Sequence, residues 1–146
     1  MVNTATASSQ SPLAERMTWW QAIAAGVIVS VVANLVVYLV GKAAGASFLL
    51  IDNGNPTQIA AVDVIISAAA PLAIGTALAV LVSRWWRPVL RVAQVVAAVL
   101  ALLTIAGPAM AETDTATLVS LGLMHVLAGA IAVAVLEIIH RSRRRV

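Results

Sequence analysis

The stretch Ser83-Arg84-Trp85-Trp86-Arg87-Pro88-Val89-Leu90-Arg91 sits between two long apolar runs, 59–82 and 89–106. Arginines keep their charge at water or phosphate, and tryptophan rings favour the boundary between headgroups and hydrocarbon. A loop built from both is pinned at a membrane surface, so the runs on either side enter the bilayer.

Working outward, two more apolar runs appear at 19–41 and 116–139. At about 1.5 Å per residue, runs of this length match a hydrocarbon core of about 30 Å. The composition agrees: 62% of the 146 residues are hydrophobic and 10% charged, against roughly 45–50% and about 25% in soluble domains. The sequence therefore predicts an all-α, four-helix transmembrane bundle over 19–140, preceded by a disordered tail at 1–18 and followed by a basic tail at 141–146. Segment 43–58, with Gly45, Asp52-Asn53-Gly54-Asn55 and Pro56, reads as turns. Phe48-Leu49-Leu50-Ile51 is too short to cross and is expected along the interface or against the bundle. Gly107-Pro108 is expected to end the third span.

Four spans put both termini on one side. That side gathers Arg16, Arg84, Arg87, Arg91, Arg141, Arg143, Arg144 and Arg145, against Lys42 alone on the other. This asymmetry predicts cytoplasmic termini in a bacterial plasma membrane. Trp19, Trp20, Trp85 and Trp86 fall on the same side and, with Arg84, Arg87, Arg91, Arg141, Arg143, Arg144 and Arg145, are read as interface anchors. The apolar run at 19–41 exceeds the core of a signal peptide, which disfavours cleavage. Basic clusters abutting apolar runs point to lipid contact, not to nucleic acid.

Several chemistries have no residues to carry them. The chain has no cysteine, which removes disulfides, thiolate metal sites and cysteine nucleophiles. It has no Gly-rich phosphate loop, HExxH or GxSxG motif. His125 and His140 lie 15 residues apart on one helix, too far to share a metal. No cofactor, no metal and no enzymatic activity are expected.

Small and polar residues recur every fourth position in the first span (Ala22, Gly26, Ser30, Asn34, Tyr38) and the second (Asp63, Ser67, Pro71, Gly75, Ala79). With Ala93, Ala97 and Ala101 in the third and Gly122 and Gly129 in the fourth, they read as helix-packing seams where backbones approach closely. Pro71 should kink its helix and deprive the Ser67 carbonyl of its usual partner. Asn34, Asp63 and His125 fall in the outer half of the bilayer and form the candidate intramembrane polar site, because such groups avoid lipid and mark functional positions. The competing structural reading has Asp63 capping its own helix and His125 bonding a backbone carbonyl or Asn34. Glu137, four residues before Arg141, reads as an i,i+4 ion pair.

Pro71-Leu72, the basic tryptophan loop at 84–91, Gly107-Pro108 and Met124-His125 together resemble a family of small four-span integral membrane proteins of unknown function, common in actinobacteria. The resemblance covers about 19–139 and implies the architecture without an activity. The leading expectation is a non-enzymatic protein acting by helix association, as a homo-oligomer or part of a larger membrane complex. The alternative is a small proton-linked transporter or channel using Asp63 and His125.

Overall fold

The structure, a computed structural model, describes residues 17–144. The expected disordered tail, apart from residues 17–18, and the anchor Arg145 lie outside the described residues. Helices α1 (Trp19–Ala43), α2 (Ala61–Val82), α3 (Val89–Leu103), α4 (Ala106–Met110) and α5 (Thr115–Arg144) are joined by a hairpin of β1 (Leu49–Asp52) and β2 (Asn55–Gln58) between α1 and α2. Four stretches are long and apolar enough to cross a membrane: α1, α2, Val89–Met110 and Thr115–Arg143.

Two clusters fix the up-and-down order. At one end Ala22 of α1, Ala79 and Val80 of α2, Leu90 of α3, and Val135, Leu136 and Ile139 of α5 pack together. At the other, Ala46, Phe48, Val64, Leu121 and Met124 do the same. The first is the arginine end; the second is the hairpin end. Apolar side chains gain little by leaving lipid for a neighbouring helix, so close backbone approach and interhelical hydrogen bonds must hold such a bundle. α1 shows both. Ala22, Gly26, Ser30 and Asn34 are buried along one stripe, a Cβ on Gly26 would lie 2.3 Å from Val135 Cγ2, and the Ser30 hydroxyl donates to the Ala68 carbonyl at 3.4 Å.

α2 departs from expectation. Its buried residues are Val64, Ala68, Leu72, Thr76, Ala79 and Val80, so the face against α1 lies one residue away from the row Asp63, Ser67, Pro71 and Gly75. Those four are exposed, and a Cβ on Gly75 would meet nothing within 4 Å. Within this chain the row lines a cleft and packs no helix. The reason is geometric: Gly26 and Ser30 receive Leu72 and Ala68, which turns the adjoining row towards α3. Gly122 is likewise loose, its nearest neighbour being Ile105 at 3.9 Å, whereas Gly129 meets Ala101 Cβ at 2.4 Å.

Two further boundaries differ. α3 stops at Leu103, and Gly107-Pro108 lie inside α4 instead of ending the span; Pro108 is tolerated there because first-turn N–H groups have no intrahelical acceptor. α5 continues through 141–144, most of the expected basic tail.

The hairpin comes from Asn53-Gly54, with φ of 49° and 82°. Two successive positive φ values make the type I′ turn that matches strand twist. Pro56 pairs opposite Ile51, yet costs no hydrogen bond there, because Ile51 exchanges both of its backbone bonds with Glu112 at 3.0 Å. Phe48 is fully buried at a positive φ of 54°, a strained conformation for a bulky residue. It is held on every side: its N–H donates to Thr117 Oγ1 at 2.8 Å, its carbonyl accepts from Ile59, and its ring stacks 4.5 Å from that of Tyr38.

Asp114 clamps this end. Its carboxylate accepts from the Ser47 N–H and hydroxyl and from the Thr117 N–H and hydroxyl, capping α5 and tying it to the hairpin. The Ser47 hydroxyl, then the Thr117 hydroxyl and N–H, hold the Asp114 carboxyl well below the usual carboxylate range. A depressed folded pKa contributes stability above the unfolded value of about 3.9 that is lost as pH falls through the folded one. Amide exchange at Phe48 and Ile59, corrected for intrinsic rates, should therefore stay flat from neutral pH to about 5 and rise progressively in stronger acid. Loosening already under way between pH 7 and 6 would show that the clamp is not built this way.

Candidate functional site

The polar residues of the bundle divide between its two ends. At the arginine end Glu137 accepts from Arg91 at 2.8 Å and from Arg141 at 2.7 Å, and the Gln94 amide donates to it at 2.9 Å. The Glu137–Arg141 pair was legible from spacing, but Arg91 and Gln94 join it from α3 and so bind α3 to α5. A lone glutamine one turn beyond Arg91 in an apolar run was the available signal. The Arg143 guanidinium reaches the Ser83 hydroxyl, closing the loop onto α5. Trp19, Trp20, Trp85 and Trp86 are all substantially exposed, as are Arg84, Arg87, Arg91, Arg141 and Arg143.

Towards the hairpin end, Asn34, Asp63 and His125 line one cleft of about 280 Å³, together with Ser67, Ala68 and Leu121 among others. Three helices supply them. Asn34 on α1 is buried and donates through Nδ2 to the Ser30 carbonyl at 2.8 Å. Asp63 in the first turn of α2 accepts the Ala60 N–H at 2.8 Å, a cap that uses one bond of a carboxylate able to accept about four. His125, half-buried about 15 Å along α5, places Nδ1 2.7 Å from the Leu121 carbonyl. A carbonyl only accepts, so Nδ1 carries hydrogen and the neutral ring presents its lone pair at Nε2. The self-capping and carbonyl-bonding roles thus coexist with a shared cleft.

A second cleft, of about 490 Å³, runs between α2, α3 and α5. Pro71, Gly75, Ala93, Ala97, Ala101 and Gly129 are among its walls, so the small residues of three helices leave a groove here. Ser67, Ala68, His125 and Ala128 line both clefts, so the two spaces abut at His125. Ser67 also carries the carbonyl that Pro71 cannot satisfy from four residues on. Among the described residues no three histidine, aspartate or glutamate side chains are placed to hold a metal.

No curated protein matches the chain. No solved structure matches it either. Residues 14–142 match the family of unknown function DUF6069, and with the match running over most of its length the protein belongs to that family.

Proposed function

We propose that the protein is a small, non-enzymatic, proton-linked transporter or channel of a bacterial plasma membrane, with both termini in the cytoplasm. The observation that carries this reading is the meeting of Asn34, Asp63 and His125 around one cleft. Ionisable side chains at membrane depth face cavities or each other when they take part in ion or proton movement. Asp63 stands near the hairpin end and His125 deeper, so a proton entering from that side meets the carboxylate first and the imidazole Nε2 next. The arginine and tryptophan clustering supports the orientation, and the resemblance to an actinobacterial family supports the bacterial setting.

Helix association is the second reading. It is favoured by the uncovered row of Ser67, Pro71 and Gly75 on α2, which a second copy or a larger membrane partner could cover. One experiment separates the two, because the chain has no cysteine. Single cysteines at 34, 63 and 125 are challenged in intact cells with a membrane-impermeant thiol reagent. Transport predicts labelling at 125 as well as 63. Labelling at 63 with full protection at 125 would mean a dry, packed bundle and leave association standing.

A further inference from the structure

We propose that the joined clefts form a binding site for a single-chain cationic amphiphile, with its head beside Asp63 and Ser67 and its chain along the groove between α2, α3 and α5. This names the substrate class of the proposed transporter and rests on that reading.

Both spaces are lined mostly by apolar side chains, and the smaller differs in adding a carboxylate and an amide. The smaller is bordered by Asp63, Asn34, His125 and Ser67, and the Ser67 carbonyl lacks its usual helical donor because Pro71 has no N–H. The polar groups among its otherwise apolar walls are mainly acceptors, and among the described residues no lysine or arginine lines either cleft. A head that brings positive charge or donors is complemented, and an anionic head meets a carboxylate with no compensating cation. The larger space is walled mainly by alanine, glycine, valine and leucine, and the hydroxyls of Thr76 and Thr104 in its wall donate to the Leu72 and Leu100 carbonyls of their own helices. Its α5 wall runs from His125 to Leu136, eleven residues or about 16 Å, and 490 Å³ lies within the range of small-molecule sites. Ser67, Pro71, Gly75, Val96 and Leu100 on its rim are exposed, so a chain can enter sideways from the bilayer. Since Ser67, Ala68, His125 and Ala128 border both spaces, one molecule can place its head in the first and its tail in the second.

The test uses the full chain carrying Ala128→Cys in nanodiscs of zwitterionic lipid. Dodecyltrimethylammonium is the probe, and the rate of alkylation by N-ethylmaleimide is the readout. Dodecyltrimethylammonium should slow alkylation severalfold, while tetramethylammonium, lacking the chain, and dodecyl sulfate, carrying the wrong charge, should not. Adding Asp63→Asn keeps an oxygen for the Ala60 N–H, preserving the fold, and should raise the protecting concentration roughly tenfold through loss of one charge-assisted contact. Adding Gly75→Leu should fill the groove and remove the protection. Equal protection by dodecyl sulfate, an unchanged response in Asp63→Asn, or a cysteine unreactive without any probe because a helix already fills the groove would each overturn the site. Proton flux in liposomes is scored in parallel. Protection without flux supports the site and defeats the transport reading; flux without protection defeats the site alone.

Discussion

Replacing Gly129 by alanine is expected to separate α3 from α5 and to destabilise the bundle more than the same change at Gly26 or Gly75. The new Cβ would lie 2.4 Å from Ala101 Cβ, with the Ala97 carbonyl oxygen 3.7 Å away. Alanine has no rotamer to turn aside, so the helices themselves must part, which places the cost at the upper part of the roughly 1–3 kcal/mol typical of overpacking. Gly26→Ala meets Val135 Cγ2 at 2.3 Å; valine is stiff at χ1, though it can still adjust where Ala101 cannot. Gly75→Ala is the control, since nothing lies within 4 Å of its added methyl. Thermal unfolding in detergent, followed by circular dichroism, should rank the losses Gly129, then Gly26, then Gly75 near zero. A Gly75 loss equal to that of Gly129 would mean that the α2–α3 groove is closed in the folded protein.

His125→Gln is expected to abolish proton flux in liposomes while leaving the unfolding temperature almost unchanged. Glutamine can still donate to the Leu121 carbonyl that now receives His125 Nδ1, and its volume is close to that of histidine. Its amide nitrogen has no basic lone pair to offer, whereas the imidazole Nε2 does. Asp63→Asn should lower flux as well, with a smaller stability change than Asp63→Ala, because the Ala60 N–H retains an acceptor. Flux that persists in both variants would remove the proton-linked reading and restore helix association as the better account. The reverse pattern, lost stability with flux per folded molecule unchanged, would make His125 a structural residue.

The four spans needed no tertiary information, since length, apolar content and the arginine–tryptophan boundaries impose them through the thickness and chemistry of a bilayer. The burial of Ala22, Gly26, Ser30 and Asn34 was also legible, because a four-residue period on a helix makes one face. The Asn53-Gly54 hairpin carried its own signal in that dipeptide, although turns alone were expected there.

The four long helices and the small or polar character of their residues can be read from the chain alone. Which of two adjacent rows on α2 meets α1 depends on how the helices pack. On a straight apolar helix the rows beginning at Asp63 and Val64 differ by about 100° of rotation, and surrounding lipid favours neither strongly, since both are mostly apolar. Contact of Gly26 and Ser30 with Leu72 and Ala68 made the choice. That rotation turned Ser67, Pro71 and Gly75 from an expected packing seam into the wall of a cleft, and it brought Asp63 to the same space as Asn34 and His125.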